Sequence, residues 1–508
     1  VYHVARVVLQ SATPLSIGTG ETDGVFDNLL VRDANGLPTI PGSSLAGVLR
    51  HLYWRVHESD KKEDEATQTN RLFGQAKKRK AEASQAQEDN DEAQTESPSL
   101  LNVSWGFLHS REDVPVEGLQ PDIADSKDEV IQDALQTIPI KRDHVKLNHR
   151  GASDAAKQGK FDRVSLTKGH RFSVELSLWG TLDDEMLWNK VLALLKRPDF
   201  RLGGGTRRGL GKLELIRCYQ GYFKLGETDA RNGASEFERF SRLNTSLADT
   251  TELRAEPLPE ASHSLESIIL HLQPETEGYR FGGGNEPLDT SADEQNAPDF
   301  MPVTEPVVAW NNTGCITQRQ LVIPASSIKG ALSHRTAYHY NRLSGRHSDK
   351  QPGEPDDAYQ KRMQDYLDNS LAVRILFGYV DPKTKGHDEE IAHIGCVIFD
   401  DLHLDKDYQR SLQIAHNGID RFTGGVRESV LFSEEVVTHS QSWPALTLTL
   451  TLSRAQLTKL DRYILPALQC ALDDLTKGRL SLGAGGGRGA QGYFNGDWAW
   501  GGTDHHEA

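Results

Sequence analysis

No run of about eighteen apolar residues occurs anywhere in the sequence, so no segment reads as a membrane-spanning helix. Only four cysteines are present, Cys218, Cys315, Cys396 and Cys470, far apart and without a CxxC pair. That spacing argues against a structural zinc site and points to a reducing compartment. The opening residues VYHVARVVLQ alternate like a strand and do not resemble a signal peptide, so the expected location is cytoplasmic. P-loop, HExxH and GxSxG signatures are missing, which removes three common catalytic plans. Basic charge is scarce too. The 57 Lys+Arg against 73 Asp+Glu give a net charge of −16, whereas nucleic-acid binders usually carry a basic footprint. Composition by itself therefore disfavours RNA, and a case for it must come from local motifs.

What is present is a duplication. With 508 residues, 37 % hydrophobic and 26 % charged, the chain reads as a soluble protein of more than one domain. LQSATPLSIGTG (9–20) is answered by LQPETEGYRFGGG (272–284), and IPGSSLAGVLR (40–50) by IPASSIKGALSHR (323–335). RLFG (71–74) has its counterpart in ILFG (375–378). The strand–helix stretch 174–196 mirrors 446–472, and RLGGGTRRGLGKLEL (201–215) mirrors LGAGGGRGAQGYF (482–494). The order is the same in both halves, which marks an internal repeat. The expected division is a first unit at 1–222, a polar linker at 223–261, a second unit at 262–500 and a tail at 501–508. Residues 55–98 and 341–370 read as inserts, the former ending in the low-complexity SQAQEDNDEAQTESP.

Each unit reads as strand, hairpin, helix, strands, strand, helix, strand. Serines after the proline, Ser43 or Ser44 and Ser326 or Ser327, are the expected N-caps of the first helix in each unit. Thr181-x-x-Asp184 and Ser453-x-x-Gln456 read as capping boxes for the second. Leu446, Leu448, Leu450 and Leu452 alternate as a strand with one buried face. The fold class expected is α+β, two tandem ferredoxin-like (RRM-like) domains with both helices on one face of an antiparallel sheet.

The closing loops align Gly203 with Gly483, Gly205 with Gly485, Arg208 with Arg488 and Gly209 with Gly489, and Arg207 adds a further cation. Glycines without Cβ let successive backbone N–H groups approach an anion, and arginines add charge-assisted phosphate contacts. The alternative is a tight connection from helix to edge strand. Both loops follow a helix, unlike a dinucleotide fingerprint, which opens one. Lys141, Arg142, Lys146, His149, Arg150, Lys157, Lys160 and Arg163 form a basic stretch suited to phosphates or to a solvated hairpin.

On these residues the two units resemble the RAMP superfamily of CRISPR-associated proteins, specifically the backbone subunits of type III effector complexes. Two units in one chain are similar to the fused subunits of a divergent type III-D system. The resemblance implies a palm that holds guide RNA with the help of the glycine-rich loop. It also implies a thumb hairpin, at 140–164 and 418–437, that pries the guide–target duplex. Expected RNA contacts are then Ser43, Ser44, Arg50, Lys141, Arg142, Lys146, His149, Arg150, Gly203, Gly205, Arg207, Arg208 and Gly209 in the first unit. In the second they are Ser326, Ser327, Lys329, Arg421, Arg427, Gly483, Gly485, Arg488 and Gly489. Implied partners are guide RNA, target RNA and the other subunits of the complex.

Target-cutting subunits of the family carry an aspartate in the loop before the hairpin, and Asp27 falls at that place, with Asp23 nearby. One carboxylate beside a kinked RNA can hold a divalent cation such as Mg2+ or orient the ribose 2′-OH for in-line attack. In the second unit VTEPVVAWNN aligns with VFDNLLVRDA, which sets Glu305 opposite Asp27 and leaves Asp299 and Asp289 upstream. Asp299 and Glu305 are thus the second unit's candidates. The expected function is a guide-RNA-binding backbone subunit that also cleaves target RNA. The alternatives are a purely structural RNA-binding subunit and a standalone endoribonuclease that processes the guide precursor.

Overall fold

The computed structural model of the chain describes residues 1–508 except 22–27, 63–64, 76–96, 154–158, 226–229, 261–262, 276–277, 285, 289–296, 382–390, 405–409, 439, 441–443, 454–456, 458–460, 489–490 and 502–508. Asp23, Asp27, Lys157, Asp289, Gln456 and Gly489 therefore lie outside the described residues.

The first unit is built on β1 (Tyr2–Ser11), α1 (Gly42–His57), β2 (Leu101–Val103), β3 (Ile140–Val145), β4 (Lys160–Ser165), β5 (Arg171–Trp179), α2 (Glu185–Ala193) and β6 (Leu213–Phe223). Its sheet runs β2–β5–β1–β6, every neighbour antiparallel, while β3 and β4 pair apart as a two-stranded arm. β1 is central, which explains why nearly every residue of YHVARVVLQS is buried.

The second unit contains β7 (Glu266–Pro274), β8 (Thr304–Glu305), β9 (Gln320–Ile323), α3 (Ala325–Leu343), α4 (Asp356–Asp368), β10 (Ile398–Phe399), β11 (Leu402–Leu404), β12 (Arg410–His416), β13 (Phe432–Thr438), β14 (Leu446–Leu452), α5 (Ile464–Thr476) and β15 (Phe494–Gly501). Its sheet runs β10–β14–β7–β15, again antiparallel, with β12 and β13 forming the arm. Counted along the chain, the core strands of both sheets lie in the order second, third, first, fourth. With a helix after the first strand and another after the third, each unit has the ferredoxin-like α+β plan. Leu446, Leu448, Leu450 and Leu452 are buried while Thr447 and Thr449 are exposed, so the alternation sets the strand's two faces. Each unit has its own core: Leu9, Leu45, Phe172 and Val191 belong to one, Leu270, Leu332, Leu448 and Leu468 to the other.

Four details differ from the sequence reading. α1 and α3 begin one residue after proline, with Pro41 and Pro324 at the N-cap and no side-chain cap. The proline carbonyls take the first helical N–H groups instead: Ser44 N and Leu45 N donate to Pro41 O, Ser327 N and Ile328 N to Pro324 O. The segment read as an insert at 55–98 starts inside α1 and includes a helix at Thr67–Phe73, whose Thr69 N and Oγ1 donate to the buried Glu58 carboxylate at 2.8 Å. The segment 341–370 holds the end of α3 and all of α4. The linker is structured. It contains a helix at Ala230–Leu243, and Phe240 and Leu253 pack on Tyr2, Val4 and Phe223. Thr181 and Asp184 do form a capping box, on a short 3-10 turn that leads into α2. Among the described residues no helix is long and apolar enough to cross a membrane.

Candidate nucleic-acid interface

The two glycine-rich loops are built alike. Leu202 N donates to Gly211 O at 2.8 Å, and Leu482 N to Gly492 O at 2.7 Å. Gly204 N then donates to Ser16 O at 2.7 Å, and Ala484 N to Arg280 O at 2.8 Å. Gly203 and Gly483 have φ of +84° and +83°, and a Cβ there would sit 2.3 Å from Ser16 O and 2.4 Å from Arg280 O. These glycines are required by the docking of each loop against the chain that leaves the first strand. Gly205 and Gly485, at φ +75° and +84°, would meet Leu210 and Gln491. The loops are thus fixed platforms, and what they present depends on the side chains they carry.

The first loop presents its cations at the junction of the units. Gly209, at φ +94°, lies so close to the second unit that a Cβ would fall 2.3 Å from Asp401 Oδ1 and 2.6 Å from Ala325 Cβ. This sets Arg207 and Arg208 beside the N-terminal turn of α3, where Lys329 stands. Burial, then Arg208 and Arg207, push the Lys329 ammonium down to about 8. Among the described residues none of these three cations has a carboxylate partner: Arg207 Nε donates to Gly395 O at 2.9 Å and Arg208 lies over the Phe161 ring at 5.3 Å. His144 stacks on the same ring at 5.0 Å, and burial followed by Arg208, Arg142 and Arg163 lowers it to about 4. Nearby acids are already engaged: Arg201 and Lys212 hold Asp400, and Arg142 holds Glu305 and Asp401. The surplus is positive, at a site with aromatic walls, within a chain of net charge −16.

The hydrogen-bond ladders also revise the match of carboxylates. Val31 N donates to Ile17 O, and its carbonyl accepts from Thr39 N; Val303 N donates to Phe281 O, and its carbonyl accepts from Val322 N. Val31 and Val303 are therefore equivalent. Asp27 stands four residues before the first, and Asp299 stands four before the second. Glu305 corresponds to Asp33, whose carboxylate accepts the turn N–H groups of Asn35 and Leu37. The sequence alignment slipped because a separate hairpin, Val308–Trp310 with Gly314–Ile316, is inserted between β8 and β9. Glu305 is 2 % exposed and both its oxygens face the Arg142 guanidinium, which leaves no open carboxylate there. Asp299 is exposed and held in place: Ser433 donates to Oδ2 from N at 2.7 Å and from Oγ at 3.2 Å. Its bond to Ser433 puts it beside the end of the β12–β13 ladder, where the second arm passes into its tip.

The arms differ between the units. The first spans Ile140–Val145 and Lys160–Ser165, and its outer part leans on the second unit. His149 Nε2 and Nδ1 lie 2.6 and 3.0 Å from the side-chain oxygens of Gln360 and Gln364, Arg150 Nε donates to Gln360, and Lys146 is 3.8 Å from Asp368. Lys141 is shared between Asp143 and Asp162. The second arm starts at Arg410, earlier than 418, and its tip exposes Arg421, Arg427 and Phe422, the last 99 % exposed.

Of the other expected contacts, Ser43 is exposed and Ser44, Ser326 and Ser327 are half-buried on the first helical turns. Arg50 is occupied within the fold, donating to Gly74 O at 2.6 Å and Asn70 Oδ1 at 2.8 Å. Arg142 is likewise buried and paired. Arg488 lies in a single 3-10 turn, Gly486–Arg488. Sequence reading missed Asp400 and Asp401, which bind Arg201 and Arg142, 199 and 259 residues away; a DD pair carries no local signal for that.

A family model for the RAMP superfamily matches residues 8–214 and again residues 316–495. Members of that superfamily are CRISPR-associated proteins that generally bind CRISPR RNA and work in multi-subunit complexes. A search of curated proteins finds no significant match to the chain.

Proposed function

We propose that this chain, which belongs to the RAMP superfamily over two tandem units, is a guide-RNA-binding backbone subunit of a type III CRISPR effector complex and cleaves complementary target RNA. The observation that carries the binding half is the surplus of Arg207, Arg208 and Lys329 at the unit junction, where a phosphate of the guide would neutralise cations that have no carboxylate of their own. The glycine-rich loops set the backbone against which the strand lies, and the arms mark the step between successive segments.

For cleavage the reading assigns Asp27 in the first unit and Asp299 in the second. Asp299 offers one carboxylate, with Oδ2 fixed by Ser433 and Oδ1 without a partner among the described residues. That donor set fits a hydrated Mg2+ held by one carboxylate and substrate phosphate oxygens, not an all-protein cage. Such an ion would supply charge stabilisation at the phosphate. The chain's own part is to fix the carboxylate beside the arm and hold the target strand kinked, so that a ribose 2′-OH lines up with the adjacent phosphorus. Attack forms the 2′-O–P bond and breaks the P–O5′ bond, leaving a 2′,3′-cyclic phosphate and a 5′-OH.

The test is to assemble the complex with guide RNA, add complementary target with Mg2+, and compare wild type with Asp27→Ala, Asp299→Ala and both. One cut should vanish with each single change while target binding persists. Retention of every cut in the double variant refutes the catalytic assignment and leaves the binding role intact.

A further inference from the structure

Away from the junction, α3 and the segment 341–370 line a cleft in which the guide-binding reading names only His149. It lies between α3 and α4, measures about 390 Å3 and is closed on one side by His149 from the first unit's arm. That volume is within the range of about 300–1,000 Å3 typical of small-ligand sites.

Its lining has a definite chemistry. Tyr338 is 52 % exposed and lines the cleft, with the Arg335 guanidinium 5.7 Å from its ring centre. Arg342 and Arg346 are exposed and have no carboxylate partner among the described residues; the one side-chain contact of Arg342 is His339 Nδ1 at 3.3 Å. Asn341 is 9 % exposed, with its Nδ2 donating to Tyr366 O at 3.1 Å and its Oδ1 buried without a donor. A buried acceptor left unmatched costs about 1–3 kcal/mol, so it marks a place for a ligand N–H. The one acid in the lining is Asp349, against two arginines and three histidines.

An aromatic face, two unpaired guanidiniums and one buried acceptor are the complement of a nucleotide. We propose that this cleft binds one nucleotide, its base against Tyr338, its phosphate on Arg342 and Arg346, and a base N–H donated to Asn341 Oδ1. The nucleotide comes either from solution or from a single-stranded RNA passing the first arm. None of Arg207, Arg208 and Lys329 takes part, so the proposal does not depend on the junction site.

The experiment uses the full chain with two probes, labelled AMP and a short single-stranded RNA carrying 5-iodouridine. The variant Tyr338→Ala/Arg346→Glu changes two exposed side chains, and melting curves verify that it folds like wild type. Base–aromatic stacking contributes about 1–3 kcal/mol, so the variant should lose at least about tenfold in AMP affinity. Wild-type RNA should photo-crosslink to the peptide holding Tyr338. Binding of AMP with loss in the variant supports a free nucleotide as the source. Binding of RNA only, with the crosslink in the cleft, supports a nucleotide of the strand. Overturning results are a variant that binds both probes like wild type, or crosslinks confined to residues 201–212 and the arms. In that case, loss of RNA binding in Arg208→Ala would show that the junction reading stands without the cleft.

Discussion

Arg142 and Glu305, on different units, meet in a bidentate ion pair, with Nε to Oε1 at 2.6 Å and the terminal nitrogen to Oε2 at 2.7 Å. The remaining terminal nitrogen reaches Asp401 Oδ2 at 2.7 Å, and Asp401 Oδ1 accepts the N–H of Ala325 at the start of α3. Burial works against the charge on Glu305, yet Arg142 and the His403 ring 3.5 Å away hold its carboxyl at about 2. One guanidinium thus ties the base of the first arm to the helix start and the hairpin of the second unit. Arg142→Met would leave two buried carboxylates without a cation, which costs about 3–5 kcal/mol. Urea denaturation should show a loss of that size, and Arg142→Lys should recover only part because an ammonium lacks the planar fork. A loss under about 1 kcal/mol in the methionine variant would mean the pair is not what joins the units.

Two kinds of glycine make opposite predictions. Gly209 is at φ +94° with Asp401 and Ala325 in the space a Cβ would fill, so Gly209→Ala should loosen the junction by about 1–3 kcal/mol. Gly47 in α1 and Gly330 in α3 occupy matching positions of the repeated IPxSSxxG motif, are exposed, and have nothing within 4 Å of a Cβ. A helical glycine with open space is destabilising by about 0.5–1 kcal/mol relative to alanine, so Gly330→Ala should raise the melting temperature of the free chain. If the guide backbone passes over this turn, the same change should weaken RNA binding. Stabilisation with unchanged RNA affinity would move the strand off α3.

The fold was readable because its signals are local. The leucine alternation at 446–452 and the repeated IPxSS segments set strand and helix, and their order gave the duplicated topology. The linker was not readable as structure, since Phe237, Phe240 and Leu253 matter only once β1 and β6 offer them a sheet face. Of the candidate site, the sequence showed the motifs but not their meeting. Arg207, Arg208 and Lys329 lie in repeated motifs that the structure brings together, while the partner of Arg142 lies 163 residues away and could not be inferred from spacing. The match of Glu305 to Asp27 failed for a physical reason: hairpin length varies freely between fixed ladders, so pairing, not adjacency, defines equivalent positions.

If guide RNA lies on the junction, Lys329 should make its binding sensitive to pH. Its ammonium sits near 8 in the free chain because burial and the Arg208 and Arg207 charges oppose it, against 10.5 for an ordinary lysine. The sign follows from that lowering. Below about 8 the buried charge is retained at a cost to the free protein, and raising the pH relieves that cost as the amine becomes neutral. A phosphate at the junction favours the charged form, so binding takes up a proton once the pH passes about 8. Affinity for guide RNA at fixed ionic strength should therefore fall on the order of tenfold between about pH 7 and pH 9. Burial lowers Arg207 only to about 10, above that range, and His144, lowered to about 4, is neutral throughout. Lys329→Arg should keep neutral-pH binding and flatten the profile, because a guanidinium stays charged. An equal fall in the arginine variant would place the titrating group elsewhere and remove Lys329 from the RNA contact.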